Sequence, residues 1–364
     1  MKTLRWMCLL LLVVLLPLAA APAPAPQGAG ASKVGLRPNA VRGDEINLEQ
    51  RAAVEKGLAW LAARQSNNGS FGMGAAYGGG QGGHVGITAL AGISFMAAGN
   101  LPGRGKYGVN VERALKFIMA CSQESGFIAP PAGGEMYSHG FATLFLGEVY
   151  GMTGDDEVKE KLRKAVRLIE RTQNREGGWR YQPAPVDADI SITICQVMGL
   201  RAARDAGIKV QKETIDNAIK YVRSCQCADG GFSYTANQQM GSGFARTAAG
   251  MATLYYAGMF QGKEVERGLA YLKQFVPGKG GRSDGDGHYY YGHYYACQAM
   301  FLAGGEYWAT WYPAIRQQLL ARQNKGSGHW SGEAGEDYAT AMALIVLQMP
   351  NRYLPVFHGK GMGQ

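Results

Sequence analysis

Apolar residues recur along the chain in two alternating kinds of block. One kind is amphipathic and ends in glutamine: Leu58, Trp60, Leu61 and Gln65; Leu115, Phe117, Ile118 and Gln123; Val166, Leu168, Ile169 and Gln173. It returns as Ile219, Tyr221, Val222 and Gln226, as Leu269, Tyr271, Leu272 and Gln274, and more loosely as Leu319, Leu320 and Gln323. The spacing of three and four residues predicts helices with one charged face, as in Glu157 to Thr172. The other kind is apolar nearly all round: Gly86 to Ala98, Gly140 to Tyr150, Ile190 to Ala203, Phe244 to Ala257, Tyr294 to Ala303 and Tyr338 to Gln348. A helix without a polar face belongs in an interior.

Between the two blocks stands a glycine turn, usually with an aromatic: Gly69 to Phe71, Gly126 and Phe127, Gly177 to Trp179, Gly230 to Phe232, and Gly328 to Trp330. The fifth copy keeps Gly280 and Gly281 and has Arg282 in the aromatic slot. A unit that recurs every ~50 residues is a repeat architecture. Six exposed helices alternating with six buried ones predict an outer ring around an inner ring, an α6/α6 toroid over residues 47–350. Closing the ring removes the ends that an open array would have to cap.

The Gln, Gly, then Trp or Phe signature, as in Gln173 to Trp179, resembles the repeat of the squalene and terpenoid cyclase and protein prenyltransferase superfamily. The resemblance runs from about Asn47 to Met349. It implies an all-α toroid with a central cavity, and it leaves the chemistry open because one fold hosts many activities.

Composition adds an export signal. Lys2 and Arg5 precede an apolar run through Leu18 that ends at Ala19, Ala20 and Ala21, so residues 1–21 read as a signal peptide. Residues 22–46, rich in Ala, Pro and Gly, read as a flexible leader, and residues 351–364 as a C-terminal tail. The expected mature protein is periplasmic or secreted, with no membrane anchor after cleavage. The net charge of +9 is spread without a basic run, which argues against nucleic acid. Cys121, Cys195, Cys225, Cys227 and Cys297 remain after cleavage, an odd number that cannot all pair, and they read as buried thiols.

Polar residues where the buried helices begin would line the mouth of the cavity. They include His84, His139, Arg246, Tyr289, Tyr291 and Asp337. The run Asp187, Ala188, Asp189, Ile190, Ser191 resembles the D-x-D-D-T acid motif of class II terpene cyclases, which implies Asp189 as proton donor with Asp187 beside it. Ile190 stands where that motif has its last Asp, and either acid equally suits a helix cap. His293 and Cys297 share a helical face near Asp284 and Asp286, a donor set that suits zinc. The Asp-x-Cys of protein prenyltransferases is absent, however, and no metal or other cofactor is expected. Asp189 and Asp337 could flank a glycosidic bond as a pair of acids. Three readings remain: a non-catalytic binding or scaffold protein, a cyclase-like isomerase using Asp189, and a carbohydrate-active enzyme. The partner would be a small hydrophobic molecule or a glycan.

Overall fold

The first helix starts where the Asn47 side chain accepts the Gln50 amide at 2.8 Å, satisfying one of the donors a helix N-terminus leaves open. A computed structural model describes residues 45–73, 82–129, 135–279 and 287–358. Among these residues the chain forms twelve α-helices and no strands, only isolated bridges. The signal peptide, nearly all of the leader, Gly280 to Arg282, Asp284 and Asp286 lie outside the described residues. No helix among the described residues is long and apolar enough to cross a membrane.

The amphipathic blocks are α1 (Leu48–Ala63), α3 (Gly108–Ala120), α5 (Asp156–Thr172), α7 (Lys212–Ser224), α9 (Lys263–Leu272) and α11 (Gly305–Arg322). The apolar blocks are α2 (Val85–Met96), α4 (Met136–Thr153), α6 (Ile190–Asp205), α8 (Phe244–Tyr256), α10 (Tyr289–Ala303) and α12 (Glu336–Gln348). Every residue of α2 is buried, whereas α5 buries only its Val158, Leu162, Ala165, Val166, Leu168, Ile169 and Thr172 stripe. The apolar helices pack in order, α2 on α4, α4 on α6, α6 on α8, α8 on α10 and α10 on α12, and α12 packs back on α2. That is a closed inner ring, with the amphipathic helices outside it. Helices α4 and α10 start several residues earlier than the apolar pattern suggests, because the tyrosines and histidines before it fit the first helical turn.

In four of the six repeats the recurring glutamine fastens its unit to the next. The Gln173 side chain donates to Gly177 O at 2.8 Å in its own turn and to Thr214 O at 2.8 Å at the start of the next outer helix. Gln65 and Gln226 do the same toward Asn110 and Glu264. Gln323 donates to Gly328 O and, across the seam between last and first repeats, to Ala53 O, both at 2.8 Å. The turn must be glycine: Gly177 has φ +101, and a Cβ there would sit 2.2 Å from Asn217 O.

The ends of the fold pack more firmly than the sequence suggests. Glu45, expected in the leader, is buried, accepts Trp308 Nε1–H at 2.6 Å and lies 3.6 Å from Arg352. The tail folds across the end of the ring where the inner helices finish. There Val356 N donates to Glu148 at 3.1 Å, Arg201 to His358 O at 3.3 Å and Asn351 to Ala97 O at 2.9 Å. Burial pushes the Glu148 carboxyl up to about 8, with the Val356 hydrogen bond and Arg201 opposing and Asp205 adding to the rise.

Gly177→Ala is expected to lose about 3 kcal/mol or more, from backbone strain plus collision, whereas Gly154→Ala should lose only about 1 kcal/mol. Gly154 also has a positive φ, of +69, but nothing lies within 4 Å of its missing Cβ. Urea denaturation of both variants checks the contrast, and equal losses would contradict it. A second outcome concerns Glu148, whose folded pKa is raised. Below 4.5 both states hold the proton; between 4.5 and about 8 only the unfolded state releases it, so stability falls as pH rises through that window. Glu148→Gln should remove that loss, roughly 3–5 kcal/mol, and chemical denaturation across the window reads the gap between the curves.

Candidate functional site

Five of the inner helices receive the preceding turn through one polar side chain on their first turn. Phe71 N donates to Thr88 Oγ1 at 2.9 Å, Trp179 N to Thr193 at 3.2 Å, Phe232 N to Thr247 at 2.9 Å and Trp330 N to Thr340 at 3.0 Å. In the second repeat His139 takes this place: its Nδ1 accepts Ile128 N–H at 3.1 Å, and its Nε2 lies 3.3 Å from Ala165 O on α5. His139 is therefore fully buried and turned toward the outer helix rather than the mouth. Burial pushes it down to about 4, against the Ala165 hydrogen bond. His293 holds the matching step in α10, buried among the rings of Phe244, Tyr289 and Trp311.

Asp189 ends the extended stretch before α6 and caps that helix. Its Oδ1 accepts Ser191 N at 2.9 Å, Ile192 N at 2.9 Å and Ser191 Oγ–H at 2.6 Å. Its Oδ2 has no hydrogen-bond partner among the described residues and lies 3.6 Å from Arg180 Nε. Burial pushes the carboxyl up, while the Ser191 and Ile192 hydrogen bonds, the nearby Tyr234 hydroxyl and the Arg180 charge hold it down. The side chain has no exposed surface. Asp187 is half-exposed and accepts from Arg180 at 2.7 Å.

Tyrosines gather around this cap. Tyr137 donates to Ser191 Oγ at 2.5 Å, and Tyr291 reaches across the ring from α10 to Ser191 O at 3.1 Å. Tyr181 and Tyr234 share a hydrogen bond of 2.6 Å, with the Arg180 guanidinium over both rings at 5.5 and 5.8 Å. The Tyr137 and Tyr181 rings stand 6.1 Å apart. These four and Tyr338 on α12 are half-buried, each keeping part of its surface open to water. Tyr181, Tyr234, Tyr338 and Arg180 escape a reading of helix starts because three of them lie in, or just after, the turns. Alternation with Trp179 and Phe232 was the available signal.

Below this layer the ring is filled. Cys195 Sγ on α6 meets the Tyr295 hydroxyl on α10 at 3.3 Å, and Phe141 on α4 meets Tyr294 on α10, the helix opposite, with ring centres 6.4 Å apart. Tyr294 and Tyr295 are 0% exposed and Cys195 1%. A water-sized void beside them would register as exposure, so their surroundings are solid. The sequence expectation of an open central cavity does not hold at this level; α4 and α6 approach so closely that a Cβ on Gly140 would lie 2.6 Å from Cys195 Cβ.

The other sequence candidates go elsewhere. Tyr289 donates to Gln318 at 2.7 Å under the Arg322 guanidinium, facing α11. Arg246 on α8 is half-exposed, and its buried Nε has no partner among the described residues. Asp337 pairs with Arg64 at 3.2 Å and accepts Gly72 N at 2.8 Å, at the seam between last and first repeats. Cys297 is buried, which pushes its thiol up, and among the described residues no three His, Cys, Asp or Glu side chains are placed to hold a metal. The five cysteines are free, four buried and Cys227 half-buried.

Residues 44–349 match the family described as the prenyltransferase alpha-alpha toroid domain. No curated protein matches the sequence. Among solved structures, an inactive variant of an α-1,6-mannanase of Salegentibacter sp. HEL1_6, in complex with α-1,6-mannotriose, is similar at 9% identity and a TM-score of 0.63, over 84% of this chain and 99% of that one. A type II terpene cyclase variant from Scytonema, in complex with merosterolic acid A, is similar at 14% identity and a TM-score of 0.58, over 85% and 98%. A D-mannose isomerase is similar at 12% identity and 0.61, over 85% and 99%. At these identities the likeness is one of fold.

His139 gives a pH signature. Above 6.5 both states are neutral; as pH falls toward about 4 only the unfolded state takes up the proton, so stability drops through that window and levels below it. His139→Thr, which copies the other repeats, should lack that drop, about 3 kcal/mol, in denaturation curves measured against the wild type. Parallel pH profiles for the two proteins would show that the imidazole is not held neutral.

Proposed function

Because the chain belongs to the prenyltransferase alpha-alpha toroid family, we propose that its ring is a rigid frame presenting a binding site at the mouth, and that the protein is an exported, non-catalytic glycan-binding protein. The observation that carries this reading is the group of half-buried tyrosines, Tyr137, Tyr181, Tyr234, Tyr291 and Tyr338, set above a solid interior. Tyrosine offers an apolar face to the C–H face of a sugar and a hydroxyl to its oxygens. Ser191, Arg180 and the exposed Asp187 add donors and acceptors beside those rings. Two of the similar structures are named for mannose chemistry, and one carries a mannotriose. Export rests on the signal-peptide pattern of residues 1–21.

Catalysis by paired acids is disfavoured because both carboxylates already serve the fold. Asp189 caps α6 without exposed surface, and Asp337 is tied to Arg64 and Gly72. A glycosidase would need both on either side of a bond with room for a water or a sugar. The cyclase-like reading keeps one observation in its favour, the upward push that burial gives the Asp189 carboxyl. Against it, a polycyclic product has no space beside Tyr294 and Tyr295, and a proton donor must reach its substrate.

Calorimetric titration with α-1,6-mannotriose tests the reading. Binding is expected, weakened about tenfold or more by Tyr181→Ala through loss of one stacking face. Asp189→Asn should lower stability by about 1–2 kcal/mol as the cap loses its charge, with no catalytic consequence. No heat with mannotriose or with other oligosaccharides would refute glycan binding. Conversion of an isoprenoid by the wild type but not by Asp189→Asn would establish the cyclase instead.

A further inference from the structure

Counting back three residues from the side chain that receives each turn, the inner helices carry Val85, Met136, Ile190, Phe244 and Tyr290, all buried. The sixth helix carries Asp337, only 6% exposed. An apolar side chain closes four of the six junctions, and Tyr290 closes the fifth with a hydroxyl that donates to Ser331 O at 3.1 Å; at the seam a carboxylate stands in that place and is held by Arg64 Nε at 3.2 Å and Gly72 N at 2.8 Å. Two of the other junctions are also bridged by backbone: Met136 N donates to Tyr181 O and Ile190 N to Tyr234 O, both at 2.9 Å. At the seam the Asp337 side chain makes a bridge of its own.

Beside that bridge lies a cavity of about 170 Å³, lined by Arg64, Met73, Ile87, Glu336 and Asp337. That is about ten times the volume one water molecule requires. Arg64 is 49% exposed and its guanidinium lies 5.2 Å over Trp60; it gives its Nε to Asp337, and its terminal nitrogens have no partner among the described residues. Glu336 is 46% exposed and 3.3 Å from His329 Nε2. Met73 and Ile87 supply an apolar wall. One planar cation, two carboxylates and an aliphatic surface thus share one small space.

We propose that this seam pocket is a second ligand site, distinct from the tyrosine-lined mouth, and that it takes a small zwitterion of the α-amino-acid class. The ligand carboxylate lies along the free edge of Arg64, where a planar guanidinium donates to two oxygens at once. The ligand ammonium faces Glu336 and Asp337, and an aliphatic side chain rests on Met73 and Ile87. Because Arg64 already gives its Nε to Asp337, a ligand with only one of the two charges engages either the open edge of Arg64 or the half-exposed Glu336 but not both, which is the source of selectivity.

Calorimetry of the mature protein with L-leucine, isovalerate and isoamylamine tests this. L-Leucine is expected to bind, with each singly charged analogue about tenfold weaker or worse. Arg64→Gln and Glu336→Gln, both on half-exposed side chains, should each weaken L-leucine by a similar factor, while Tyr181→Ala leaves it unchanged. Failure of L-leucine to bind at millimolar concentration overturns the proposal. So does isovalerate or isoamylamine binding as tightly as L-leucine, or an affinity untouched by both variants. The mouth is tested separately, because mannotriose binding should not respond to Arg64→Gln.

Discussion

The side-chain amide of a glutamine that recurs in four of the six repeats sets the geometry on which the rest of this structure depends. Lying at the end of an outer helix, it donates to a glycine carbonyl in its own turn and to a carbonyl at the start of the next outer helix. Each such bond is worth only about 1 kcal/mol net, but it fixes the distance and angle between neighbouring units. Glycine completes the device, since only a residue without Cβ lets the turn lie directly on the next helix. Repeated around the chain and closed by Gln323 on Ala53, the same contact turns a linear array into a ring with no exposed end. The second repeat departs from the pattern: Gln123 reaches only Ala129 O at 3.4 Å, and Lys161 and Arg171 on α5 hold the turn instead, donating to Ser122 O and Ser125 O.

A ring of this kind has an inside, and what occupies it decides what the protein can do. Here the inner helices bring tyrosines and small residues together until opposite sides of the ring touch, Phe141 against Tyr294 and Cys195 against Tyr295. Glycines on α4 tighten the contact with α6, Gly140 lying against Cys195 and Gly147 against Ala202. Chemistry that needs an enclosed volume has no place beside these residues. The half-buried tyrosines stand in the layer above, where the Asp189 cap organises Ser191 and the tyrosines that hydrogen-bond to it. The cap and the site are thus one arrangement: the bonds that start α6 also place the hydroxyl that Tyr137 reaches.

The architecture was legible in the sequence because it is repeated. Gln173 and Gly177 would say little alone, but the same pair recurs at 226 and 230, and its partners follow from helical spacing. The candidate site was less legible for the opposite reason, that its residues are departures from the repeat. His139 reads as a mouth residue from its place at a helix start, yet it does the work of a threonine, visible only when the turns are aligned with Thr88, Thr193, Thr247 and Thr340. Tyr289 and Tyr291 are two residues apart in sequence but face different ways, one toward Gln318 on α11 and one across the ring to Ser191. Asp337 reads as a helix-start acid like Asp189, but it stands at the step that Ile190 holds in α6 and its partners belong to the first repeat, a relation that exists only once the ring closes.

The filled interior is the point on which binding at the mouth, rather than reaction within the ring, depends. Crystals of the mature protein pressurised with xenon, which enters apolar voids too dry for water, test it directly. The expected result is no xenon between the inner helices at the level of Phe141, Cys195, Tyr294 and Tyr295. An ordered xenon site there would reveal an enclosed apolar cavity and contradict the account.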